Sequence, residues 1–156
     1  PQPIPLVAAP PVPAAPVAAP AKPALPLTAA EPSTKDLQTL LEAWLKAKSS
    51  LLDGNNPDVP LSDLARPLLI HRLEQQQAEN SSRGERERIE ASVQSLEIRE
   101  RGPRRIAAAV TLQYSDQRLG KDGKVLSQTP TSELRNVYVF ARDGETWHLA
   151  AFRPGS

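Results

Sequence analysis

The chain has no cysteine and no methionine, and only six of its 156 residues are aromatic. Without cysteine there is no disulfide, thiolate nucleophile, iron–sulfur cluster or Cys-ligated zinc. The redox compartment stays open, because oxidising and reducing spaces both tolerate a Cys-free chain. No excess of one charge is present either: 19 basic side chains face 18 acidic ones, a net charge of +1. Such a balance supplies no global attraction to nucleic acid or to a membrane surface. No unbroken apolar run reaches the roughly 20 residues of a membrane-spanning helix. The start carries no basic residues and its prolines interrupt every apolar stretch, which excludes a signal peptide. The first residue is Pro1 rather than Met, so the chain is expected to be a piece of a longer polypeptide or a processed product.

What is present is unevenly spread. Residues 1–32 hold 11 of the 17 prolines and 10 alanines, with one lysine, one glutamate and no aromatic. Prolines this frequent deny a helix its backbone donors, and the small apolar side chains cannot build a core. Coil and polyproline II remain, so residues 1–32 are expected to form a disordered Pro/Ala-rich linker reaching about 100 Å when extended. PxxP spacings occur at Pro10/Pro13 and Pro20/Pro23, but an Ala/Pro tract produces them by chance, and the passive spacer is the preferred reading. Residues 33–156 keep six prolines and all the aromatics, a normal globular composition. A domain of that size buries about two-thirds of its unfolded surface.

Ser33-Thr34-Lys35-Asp36 reads as a helix start. Leu37, Leu40, Leu41, Trp44, Leu45, Leu51 and Leu52 then recur on one helical face, with Glu42, Lys46, Ser49 and Ser50 opposite and Gly54 as the stop. A short helical piece ends near Arg66, and a second helix is expected from Pro67 to about Gln77 or Asn80, followed by a loop at Ser81–Gly84. From Ile89 the period becomes twofold. Ile89, Ala91 and Val93 alternate in one phase, Leu96 and Ile98 in the other, which predicts a bulge between them. Ile106, Ala108, Val110, Leu112 and Tyr114 form a second strand; Glu133 to Ala141 a third, with Pro130 excluded from its core; Thr146 to Phe152 a fourth after the Asp143-Gly144 turn. The fold class is therefore α+β, with N-terminal helices packed on a curved four-stranded antiparallel meander.

Little of this pattern carries chemistry. His71 and His148 are the only histidines and lack the spacing of a metal site, so no metal or cofactor is expected. No phosphate loop and no nucleophile elbow occurs. No carboxylate interrupts the apolar face of the second strand, as an acid–base pocket would require. Residues 83–105 carry seven arginines and five glutamates without an aromatic, which reads as a solvated face rather than a nucleic-acid platform.

The segment Leu40–Leu52, with its W-L-x-A-K core at Trp44–Lys48, resembles the opening helix of the C-terminal intermembrane-space (IMS) domain of plant plastid-division proteins and their cyanobacterial ZipN-type relatives. The likeness continues through Leu61–Arg66 and Ser92–Ile98. It ends in L-R-N-V-Y-V-F-A-R-D-G-E-T-W-H-L, where Tyr138 and Trp147 match the family's strand tyrosine and hairpin tryptophan. This chain has Glu87-Arg88 where the family usually has an aromatic. The resemblance implies a cone similar to nuclear transport factor 2. It also implies a non-catalytic module, tethered to a membrane and binding a division or envelope protein in the periplasm or plastid intermembrane space.

Partner contacts are expected at the rim of the cone, at Tyr114, Arg135, Tyr138 and Trp147, with Trp44 in the core. Under this reading the apolar interior only holds shape, and outer edges meet the partner. The alternatives are an enzyme or small-ligand carrier using the cone as a pocket, and a peptidoglycan or polysaccharide contact.

Overall fold

The computed structural model describes residues 25–155. Helix α1 (Thr34–Leu52) starts in a capping box: Ser33 Oγ accepts from the Asp36 amide at 3.0 Å, and Asp36 Oδ2 accepts from the Ser33 amide at 2.9 Å. Its apolar stripe, including Trp44, is buried. Gly54 ends it at φ +86°, a backbone region that favours glycine. The face expected to be solvated is only partly so, because Ser49 Oγ donates to the Ile89 carbonyl at 2.7 Å. A 3-10 turn, Leu61–Asp63, leads to helix α2 (Pro67–Ser82). This helix runs past its expected end, so Ser81 and Ser82 are helical rather than loop. The Glu85 amide reaches the Asn80 carbonyl at 2.8 Å and the Gly84 amide reaches Ser81 at 3.0 Å, with Gly84 at φ +69°. That Schellman ending satisfies the last carbonyls one turn later than the apolar pattern suggested.

Four strands follow: β1 (Arg86–Arg101), β2 (Arg105–Leu119), β3 (Val125–Asp143) and β4 (Thr146–Pro154). They form one antiparallel sheet in chain order. The phase flip in β1 is a bulge, with the register shifting between Val93 and Ser95. β3 is much longer than expected and runs through Pro130. The proline is tolerated because the register shifts beside it, between Tyr114↔Ser132 and Asp116↔Thr129. It also lies where β4 does not reach, since β4 pairs only with Asn136–Asp143. A missing donor at a bulge on an open edge breaks no ladder bond.

Both helices pack on one face of the sheet. Leu37, Leu41, Trp44, Leu69 and Leu73 meet Ile106, Ala108, Val110, Phe140 and Leu149 in a single core.

The linker expected over residues 1–32 is shorter at its C-terminal end, and residues 1–24 of it lie outside the described residues. Leu25–Pro32 forms a strap against the domain. Leu27 is buried and bridges Trp147, whose amide donates to the Leu27 carbonyl at 2.8 Å. Trp147 Nε1 donates to the Ala29 carbonyl at 2.8 Å, and Arg101 Nη1 to Pro32 at 2.8 Å. Composition placed these eight residues with the linker, but a leucine and a proline among them find a buried niche.

Candidate partner-binding cleft

The mismatch in strand length creates the feature of most interest. Val125–Leu134 of β3 pairs with β2 on one side and has no strand on the other among the described residues, while the Arg135 carbonyl accepts the Gly155 amide at 2.7 Å. β4's own outer edge is treated differently. Leu64–Arg66 closes it, through Leu149 N to Leu64 O at 2.8 Å and Arg66 N to Leu149 O at 2.9 Å, and Leu27 covers its start. Helix α1 runs beside β1, with Ser49 bonded to its Ile89 carbonyl. The open half of β3 is also where exposed apolar side chains gather: Val125, Leu126 (52% exposed) and Leu134, with Phe152 (46%) at the end of β4. Unpaired backbone groups flanked by such side chains are a template for another strand.

A separate cleft lies on the helix-facing side of the sheet, at the end of β4. A cavity of about 230 Å³ opens between α1, α2 and the end of β4, walled by Trp44, Leu69, Leu73 and Phe152. Lys48 and Gln76 also line it, with Arg72 at its edge. The core itself is closed; the cleft lies at its border, with a lysine on its wall. Burial pushes the Lys48 ammonium below its ordinary value, opposed by the charge of Glu87. A larger groove of about 530 Å³ runs along α1 and β1, but its walls are mostly Ser, Glu and Gln and include no aromatic.

A polar network supports the floor. Glu87 is 7% exposed. It accepts from Asn80 Nδ2 at 2.7 Å and Gln76 Nε2 at 3.0 Å, with Arg118 Nη2 at 3.7 Å. Arg118 Nη1 also donates to Glu85 at 2.7 Å. The position that carries glutamate instead of an aromatic is thus buried and fully partnered.

The four residues expected at a rim do not share one. Tyr138 is buried on the helix-facing side, its ring 5.6 Å from that of Phe152 and its hydroxyl 3.4 Å from Asn136 Nδ2. Burial raises its hydroxyl above the ordinary value. Tyr114 lies half-buried on the same side and donates to Asp116 Oδ2 at 3.2 Å. Its hydroxyl is held well above the usual range, by burial first and then by the Asp116 charge. Arg135 is exposed on the opposite face of β3, 3.8 Å from Glu133. Trp147 is completely buried beneath the strap.

Sequence reasoning missed Lys48 and Phe152. For Lys48 a signal existed: it follows Trp44 by four residues, a cation on the apolar stripe of α1. Phe152 carries no signal, because its exposure depends on where β4 stops.

His148 Nδ1 lies 3.2 Å from Asp143 Oδ2, to which Arg66 Nε donates at 3.0 Å while its Nη2 donates to Oδ1 at 2.8 Å; His71 is exposed on α2. Among the described residues no three His, Asp or Glu side chains converge as metal ligands would. No helix among them is long and apolar enough to cross a membrane.

Comparison with known proteins adds a family. Residues 38–150 match the family described as ARC6-like, IMS domain. Among solved structures the chain is similar to the intermembrane space region of the chloroplast protein ARC6, at 13% identity and a TM-score of 0.62, over 78% of this chain and 95% of that one. No curated protein matches the chain.

Proposed function

Because the chain belongs to the family of ARC6-like IMS domains, we propose that it is a non-catalytic protein-interaction module of a division-type protein. In this reading a partner protein docks by adding an extended segment to the open edge of β3, with alternate side chains entering the cleft beside Tyr138 and Phe152. The observation that carries it is the open edge of β3 over Val125–Leu134, beside a β4 strand whose Phe152 lines an apolar-walled cavity. Arg135 contributes a charge at the end of that edge, Tyr138 backs the Phe152 ring, and Tyr114 lines the interior beyond. Trp147 acts indirectly by fixing the sheet under the strap. The cone-like curvature of the sheet gives the cleft its mouth. The parent protein is membrane-tethered, with this domain in the periplasm or plastid intermembrane space and the Pro/Ala tract as spacer.

The test uses the chain as bait in extracts of its own organism, beside a Leu126→Lys/Leu134→Lys variant that places two charges on the edge. Recovery of a division or envelope protein by the wild type, reduced at least tenfold by the variant, is the expected result. Recovery of no such protein, or equal recovery by the variant, overturns the reading.

A further inference from the structure

The cavity between α1, α2 and β4 has an unusual wall. Trp44, Leu69, Leu73 and Phe152 make it apolar, yet Lys48 projects from the same side of α1 as Trp44. Among the described residues no carboxylate lies within 4.0 Å of the Lys48 ammonium. Glu87 is the anion whose charge reaches it, but that carboxylate already serves Asn80, Gln76 and Arg118. Arg72, at the cavity edge, likewise has no carboxylate within 4.0 Å among the described residues. Lys46, one half-turn away, has one in Asp58 at 3.9 Å.

A cation held among apolar groups without a counter-charge is costly, and an anion delivered to it recovers that cost. We infer that the cavity is a carboxylate site, in which Lys48, assisted by Arg72, receives a carboxylate carried on an apolar stem. The walls of Trp44, Leu69, Leu73 and Phe152 take the stem, and a volume of about 230 Å³ holds a side chain or a short aliphatic acid rather than a large cofactor. Two sources share this chemistry. One is an acidic side chain of a segment docked on β3, which rests on the function proposed above. The other is a free aliphatic acid, which does not. Either source would oppose the lowering that burial imposes on the Lys48 ammonium.

The experiment titrates the whole chain by nuclear magnetic resonance, following the Lys48 side-chain signals. The small-molecule probes are hexanoate and its neutral counterpart hexanamide. The peptide probes are a blocked strand-forming heptapeptide with one central Glu and the same peptide with Gln. At least one charged probe is expected to bind tenfold or more tightly than its neutral counterpart. Lys48→Met should abolish that preference, Lys48→Arg should keep it, and Lys46→Met should leave it unchanged.

Preference for the Glu peptide assigns the site to a docked partner. Preference for hexanoate alone assigns it to a small acid and counts against strand docking. Equal binding of both peptides, with hexanoate no tighter than hexanamide, keeps the docking surface and overturns the carboxylate site. Absence of any charge preference, or a preference that survives Lys48→Met, also overturns it.

Discussion

Glu87 is the one charged residue of the Arg86-Glu87-Arg88 strand start that is buried, and three donors meet it there. Asn80, Gln76 and Arg118 all reach Oε1, and Gln76 also donates to Oε2 at 3.2 Å. Glu87→Ala would leave the Asn80 and Gln76 amides without their acceptor, while Arg118 keeps Glu85. Loss of one partner from a buried, hydrogen-bonded charge costs about 3 kcal/mol. A fall of that order in the unfolding free energy, measured by urea denaturation, is the expected outcome; a change under about 0.5 kcal/mol would place the network's weight elsewhere. Asp143 makes a different contribution. Its carboxyl is held below the ordinary 3.8 first by the Arg66 hydrogen bond and then by His148. A depressed carboxyl stabilises the fold above its unfolded value, and that stabilisation is lost as pH falls through the folded value. Asp143 is 44% exposed, so screening keeps the effect below about 1 kcal/mol. Stability measured from pH 6 down to pH 2 should therefore decline less steeply below about pH 4 in Asp143→Asn than in the wild type, where roughly that interval brackets the shift.

At the scale of elements, the strap and β3 carry the consequences. Leu25–Pro32 has no regular structure, yet it buries Leu27 and accepts both hydrogen bonds of Trp147. Removing it opens a groove over a completely buried indole. A chain beginning at Ser33 is expected to melt lower than one beginning at Leu25 and to show red-shifted tryptophan emission. Leu27→Ala in the longer chain should cost about 2 to 4 kcal/mol. Identical melting of the two lengths would show the strap to be dispensable.

Pro130 does the opposite work, keeping an exposed edge from pairing too readily. Its replacement by valine restores a backbone donor and raises strand propensity on an open edge. Light scattering should report more self-association for Pro130→Val at unchanged helix content. No increase would mean that the bulge alone protects the edge.

For the whole molecule, the periodicities of α1, β1 and β2 were legible because each element has one buried face, and burial imposes its period on the residues. The order of helices before strands led to the α+β class for the same reason. Tyr138 and Trp147 were legible through the family resemblance, but their environments were not. Trp147 looked like a rim residue, and only the strap, whose composition is that of a linker, shows it to be covered. β3 looked short because Pro130 forbids a central strand; only its pairing partners make that half an edge. The open edge and the cavity arise from β4 ending early and from two helices leaving a gap, and both are relations between segments distant in the chain. Local patterning thus determined the helices, most of the strands and their order, and the family entered through the resemblance carried by Trp44–Lys48 and the terminal hairpin. Tertiary structure alone decided which edge stays unpaired and which lysine meets no counter-charge, because exposure and pairing depend on what the rest of the fold places nearby.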